Sequence, residues 1–136
     1  MSDNTFMTLE ERRAQVNSYL GQTVTIVIDR PVGYVHRKDG GTLVYPINYG
    51  YIPGVLGGDG EELDVYLVGV DAPVSEFTGR IIGMALRADD VEDKLIMAPE
   101  GMTITAQEMA CAVQFQERYY HTTVCVSDGS KAEVER

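Results

Sequence analysis

Of the four carboxylates in the short stretch Gly58-Asp59-Gly60-Glu61-Glu62-Leu63-Asp64, three have a spacing that suggests chemistry: Asp59, Glu61 and Asp64. Gly60 allows a tight backbone turn between the first two. Asp64 leads straight into an apolar run, so a strand is expected to fix it while the others ride on the entry loop. Oxygen donors presented this way suit a hard divalent cation such as Mg2+. The same residues taken alone read equally well as an acidic turn before a strand. An EF-hand loop is excluded, because Leu63 stands where an oxygen ligand is required and Asp64 where the glycine is required. A phosphate-binding P-loop is excluded by the absence of Gly-Lys-Ser/Thr.

A second acidic group, Asp89, Asp90, Glu92 and Asp93, is followed at once by Lys94. Like charges this close repel, which favours a bound cation, with Lys94 supplying partial neutralisation. A lone run of this kind is most often a solvated hairpin tip. Two such clusters, each bordering an expected strand, point together to a metal site.

The elements that must position these residues follow from local patterns. Thr8-Leu9-Glu10-Glu11 is a capping box, and Leu9, Val16 and Leu20 give a helix over about 9–20, closed by Gly21. Thr23–Ile28 is β-branched and reads as a strand. Residues 40–58 hold too much Gly, Pro and Tyr for a helix, and Asp64–Val70 is a strand ending in Asp71-Ala72-Pro73. Gly79–Ala88 and Lys94–Ala98 read as antiparallel strands joined by the second acidic group. A second capping box, Thr105 to Glu108, opens a helix running to about Tyr120. The polar tail from Ser127 is expected to fray. Strands gathered between two helices give an α+β fold, a small curved antiparallel barrel with a helix against it, in one domain spanning 1–136.

The formal net charge of −10 and pI near 4.5 argue against a counterion-releasing nucleic-acid binder and against docking on anionic lipid. Cys111 and Cys125 have no metal-ligand spacing and read as reduced filler. No apolar run approaches the roughly 18 residues of a membrane span, and Met1 to Gly21 lacks a signal-peptide core, so a cytoplasmic protein is expected.

The run Tyr45-Pro46-Ile47-Asn48-Tyr49-Gly50-Tyr51-Ile52-Pro53-Gly54, with the acid triplet beginning ten residues after Tyr49, resembles the soluble family I inorganic pyrophosphatases. Their pattern is Tyr-Pro-x-Asn-Tyr-Gly-(Tyr/Phe)-(Ile/Val), then Asp-Gly-Asp-Pro-x-Asp. The match covers roughly residues 23–120 and is most specific over 45–64. The resemblance implies a five-stranded antiparallel OB-like barrel with an N-terminal and a C-terminal helix, Mg2+ dependence (Mn2+ as a substitute), hydrolysis of diphosphate to two phosphates, and a homo-oligomer. By motif it makes Asp59, Asp64, Asp90 and Glu92 metal ligands, with Asp29 as the acid near the site entrance. It gives Glu61 the attacking water, Lys94 the place of the associated lysine, and Tyr49 and Tyr119 contacts to phosphate.

The chain departs from that pattern in places that bear on substrate. Glu61 replaces the central Asp, Glu62 replaces the Pro, and Tyr120 stands where a Lys is expected. The segment 31–44 is shorter than the hairpin that normally brings one Lys and one Arg to the diphosphate. His36, Arg37, Lys38 and Arg30 remain to take their place. These departures keep two other readings open: a hydrolase of another small phosphoanhydride or phosphoester, and a non-catalytic metal- or phosphate-binding relative. An oligonucleotide-binding barrel, with Tyr45, Tyr49 and Tyr51 as stacking platforms, is disfavoured by the acidic balance.

Overall fold

The computed structural model describes residues 6–136; the first five residues of the expected domain lie outside the described residues. Helix α1 (Leu9–Tyr19) starts as expected at the Thr8/Glu11 capping box, where the side chain and backbone of each residue exchange hydrogen bonds. The strands are β1 (Thr23–Arg30), β2 (Val35–Lys38), β3 (Gly41–Val44), β4 (Asn48–Leu56), β5 (Glu62–Leu67), β6 (Glu76–Arg87) and β7 (Lys94–Ala98). Helix α2 (Ala106–Glu117), capped by Thr105 and Glu108, follows, and β8 (Thr122–Val126) and β9 (Lys131–Glu133) complete the order.

Five strands close on themselves in the order β1-β4-β5-β7-β6, with β6 returning to β1, and β8 and β9 extend the sheet from β6. β2 and β3 form a separate hairpin. The expected five-stranded barrel between two helices is present, with two corrections. It is not wholly antiparallel: β5 and β7 pair in parallel, with Val65 opposite Leu95 and Leu67 opposite Met97. Both strands are buried on both faces, as parallel neighbours usually are, and β7 has five consecutive buried residues. The tail does not end as a frayed segment either. β9 pairs with β8, and Val134 is 5% exposed beneath α2 residues such as Val113.

Alternation along β5 and β7 divides the core. Leu63, Val65, Leu67, Leu95 and Met97 join Ile26, Ile28, Ile52 and Ile81 from the other three barrel strands, so this cluster fills the barrel, with Val16 of α1 at its edge. Tyr66, Val68, Ile96 and Ala98 face the other way and pack with Tyr45, Tyr49 and Val124 against Met109, Ala110 and Val113 of α2. The chemistry lies at the polar end of this second layer.

Candidate active site

Strand parity places the first charges. Asp64 lies two residues before Tyr66 and Lys94 two before Ile96, so both share the face that α2 covers. The parallel register of Val65 with Leu95, carried back one residue, sets Asp64 beside Lys94. Lys94 Nζ donates to Asp64 Oδ2 at 2.8 Å, to Glu92 Oε1 at 2.9 Å and to the Tyr49 hydroxyl at 2.6 Å. Tyr49 in turn donates to Asp64 Oδ2 at 2.8 Å. Burial alone would discharge the Lys94 amine; the Tyr49 oxygen and the Asp64 and Glu92 charges more than offset it, so the ammonium persists. Burial likewise pushes the Glu92 carboxyl up; Lys94 opposes this, and the charges of Asp59 and Asp64 add to the rise.

These groups open onto a cavity of about 260 Å3. Its acidic wall is Asp64 and Glu92; its cationic wall is Arg30, Lys38, Arg87 and Lys94, with the His36 imidazole beside them; Tyr45, Tyr49, Tyr119 and Tyr120 supply most of the aromatic surface. His36 and Lys38 alternate along β2 and reach the cavity together, whereas Arg37, between them, is exposed and does not line it. Desolvation and the charges of Arg30 and Lys38 hold the His36 imidazole below its ordinary pKa. Tyr119 is 63% exposed, lines the cavity and lies 5.5 Å from the Lys38 ammonium.

The second acidic group disperses. Only Glu92 faces the cavity. Asp90 Oδ2 accepts from Arg87 at 2.7 Å, Asp89 accepts from the His121 amide at 2.9 Å, and the buried Asp93 accepts from the Arg87 amide at 3.0 Å and from Arg13 at 2.5 Å. Arg12 of α1 donates to the Asp90 carbonyl and, at 2.7 Å, to the Arg87 carbonyl, mooring the connection to the first helix. Gly58 completes this packing: a Cβ there would stand 2.5 Å from the Val91 carbonyl oxygen.

The first triplet also separates. Gly60 takes φ +82°, as the tight turn requires, and the Asp59 carboxylate accepts from the Glu61 amide at 3.0 Å. Glu61 is exposed and, like Asp59, lies outside the cavity lining, although the Asp59 charge reaches Glu92. Asp29 is exposed at the end of β1. Partial burial raises its carboxyl, its own backbone amide opposes this, and Asp64 and Glu62 raise it further. Asp64 and Glu92 are therefore brought together, Asp59 and Asp29 lie within electrostatic reach, and Asp90 is diverted to Arg87. Among the described residues no three His, Cys, Asp or Glu groups stand close enough to share one ion.

Sequence reasoning missed Arg87, whose side chain is 2% exposed. Its Nε and Nη2 make a bidentate pair with Glu117 at 2.9 and 2.6 Å, and Tyr120 stacks over it with its ring centroid 3.7 Å away. The one available signal was an arginine two residues ahead of an acidic run. Gln116 was also missed as part of the site wall; it accepts at 2.6 Å from the Tyr45 hydroxyl, which itself accepts from Arg30.

A family model described as inorganic pyrophosphatase matches residues 21–122. A curated inorganic pyrophosphatase of Bradyrhizobium diazoefficiens is 32% identical over 97 residues, covering 57% of this chain and 54% of that protein. One of Rickettsia conorii is 28% identical over 112 residues, covering 68% and 63%. The chain thus spans between about half and just under two thirds of the length of these relatives. The crystal structure of inorganic pyrophosphatase from Ehrlichia chaffeensis superimposes with a TM-score of 0.56 at 17% identity, over 85% of this chain and 88% of that one. At that identity the likeness bears on the fold alone.

Proposed function

Since the chain belongs to the inorganic pyrophosphatase family, we propose that it hydrolyses inorganic diphosphate to two phosphates with the help of Mg2+, for which Mn2+ can substitute. The observation that carries this reading is a single cavity with carboxylates on one wall and cations on the other. At about 260 Å3 the cavity is smaller than the roughly 300–1,000 Å3 of drug-sized ligand sites, which suits a compact anion.

The donor set fits the metal in its chemistry. It is all carboxylate oxygen, as hard cations prefer; burial chiefly, and neighbouring carboxylates in addition, raise Glu92 and Asp29, and a divalent charge would relieve the repulsive part. Asp64 and Glu92, with the charge of Asp59 within electrostatic reach, are the residues that would hold it. Bound there, the metal supplies charge neutralisation and a lowered pKa for water. The protein's own groups do the rest. Lys94, kept charged at the floor of the cavity, stabilises negative charge on the phosphoryl oxygens. Lys38 and Tyr119 close over the substrate from the hairpin side, and Tyr49 presents its hydroxyl to phosphate while holding Asp64. Glu61, on the turn that carries Asp59, takes the proton of the attacking water.

A second reading, a phosphate-binding relative without this hydrolysis, is favoured by one observation: Glu61 lies outside the cavity lining. Phosphate release from diphosphate, nucleoside triphosphates and sugar phosphates, compared side by side, separates the readings. Selective release from diphosphate supports the proposal; preference for another substrate, or none, supports the alternatives. A cytoplasmic location and a homo-oligomer belong to the same proposal. Among the described residues no helix is long and apolar enough to cross a membrane.

A further inference from the structure

The cations around the cavity differ in what already neutralises them. Lys94 is held by Asp64 and Glu92, and Arg87 by Glu117 and Asp90. Arg30, at the end of β1, has no carboxylate partner among the described residues. Its guanidinium stands 5.5, 5.3 and 5.9 Å from the ring centroids of Tyr34, Tyr45 and Tyr49. Nη1 donates to the Tyr45 hydroxyl, which is itself oriented by its bond to Gln116 of α2. A tyrosine cage of this kind fixes the plane of the fork and shields its charge without cancelling it. The remaining N–H donors of the five on a guanidinium have no side-chain acceptor among the described residues, and the side chain lines the cavity.

We infer that Arg30 is the principal anchor for an oxyanion in this cavity, gripping a phosphoryl group through two N–H donors. The inference deepens the proposed function and rests on it for the identity of the substrate. An ammonium at this position could keep the charge but not the planar, two-donor grip or the stacking on the tyrosines. Removing Arg30 leaves Tyr45 bonded to Gln116, so no buried hydroxyl is stranded and the fold is expected to survive.

The test is calorimetric binding of inorganic phosphate and of methylenediphosphonate, with Mg2+ present, to wild type, Arg30→Gln, Arg30→Lys and the charge-matched surface control Lys131→Gln. Losing a charge-assisted hydrogen-bonded contact predicts about tenfold to a hundredfold weaker binding for Arg30→Gln. Arg30→Lys should recover little of it, Lys131→Gln should match wild type, and the urea midpoint should hold. Binding by Arg30→Gln within twofold of wild type overturns the inference. So does full recovery by Arg30→Lys, which also decides the matter should Arg30→Gln fail to fold. Arg30-dependent binding in a protein that releases no phosphate from diphosphate would sink the proposed function and leave this inference standing. Hydrolysis with an unchanged KM in Arg30→Gln would do the reverse.

Discussion

Glu117 is 0% exposed, and its carboxylate accepts four hydrogen bonds. Two come from Arg87, one from Tyr66 at 2.5 Å and one from Thr122 at 2.7 Å, so α2, β5, β6 and β8 meet on one side chain. Glu117→Gln removes the charge and turns one acceptor into a donor facing donors, while Arg87 keeps Asp90 at 2.7 Å and, more distantly, Glu92 at 3.9 Å. Breaking a buried ion pair costs about 3–5 kcal/mol, and the amide oxygen retained by Gln places this change near the low end, about 3 kcal/mol. For a domain of this size that corresponds to a melting temperature roughly 10 °C lower. Replacing both partners, as Arg87→Met with Glu117→Leu, leaves no buried charge unpaired but strands the buried Tyr66 and Thr122 hydroxyls, so it should recover only part of the loss. The pair also sets a pH dependence. Burial would push the Glu117 carboxyl up, but the hydrogen bonds and charge of Arg87, with Tyr66 and Thr122, hold it below its ordinary value. A carboxyl with a lowered folded-state pKa stabilises at pH above its unfolded value of about 4.5, and that stability is lost as pH falls through the folded-state value. The wild type should therefore lose more stability on acidification below pH ~4.5 than Glu117→Gln does. Urea unfolding of the double-mutant cycle at neutral and acid pH reads all of this. A Glu117→Gln loss under about 1 kcal/mol at neutral pH, or equal acid sensitivity of variant and wild type, would refute the reasoning.

Other consequences are as direct. Mg2+ binding to the folded state should raise the melting temperature of the wild type, and Asp64→Asn should remove most of that rise; an unmoved wild-type curve at millimolar Mg2+ contradicts the metal assignment. Glu61→Gln should abolish most hydrolysis while leaving Mg2+ binding largely intact, and Glu61→Asp should cost on the order of tenfold, since small misplacements are expensive in positioned catalysis. A faster Glu61→Asp enzyme would instead mark this position as impaired for diphosphate. Gly58→Ala, which drives a Cβ to 2.5 Å from the Val91 carbonyl, should destabilise by about 1–3 kcal/mol and weaken Mg2+ binding through the displaced 89–93 connection. A Gly58→Ala protein with wild-type stability would show that the two acidic connections are not held against each other.

What the sequence made legible was what is decided locally. Both capping boxes depend on side chains three residues apart, and both are present at Thr8 and Thr105. β7 spans Lys94 to Ala98 as expected, its apolar run Leu95–Ala98 following the lysine. Relations set by distant partners were not legible. An apolar strand does not announce whether its neighbour runs parallel, so the β5–β7 pairing was missed. The α2 helix was expected to reach Tyr120 but ends at Glu117, where Tyr120 is drawn over the Arg87 guanidinium. The acidic run 89–93 looked like one cluster because sequence spacing carries no direction. In the fold, Arg87, Arg12, Arg13, Lys94 and the His121 amide draw its four acids to different partners. Arg30 and Arg87 carry no motif, and their character comes from the tyrosines and from Glu117 that surround them.

The central claim is that carboxylate and cationic walls of one cavity act together on diphosphate. Phosphate release from diphosphate, followed as Mg2+ is titrated from chelated to millimolar concentration, tests it most directly. The expected result is no release without metal, a saturable rise with Mg2+, two phosphates formed per diphosphate consumed, and loss of that rise in Asp64→Asn. Release that persists in chelator, or none at any Mg2+ or Mn2+ concentration, would contradict it.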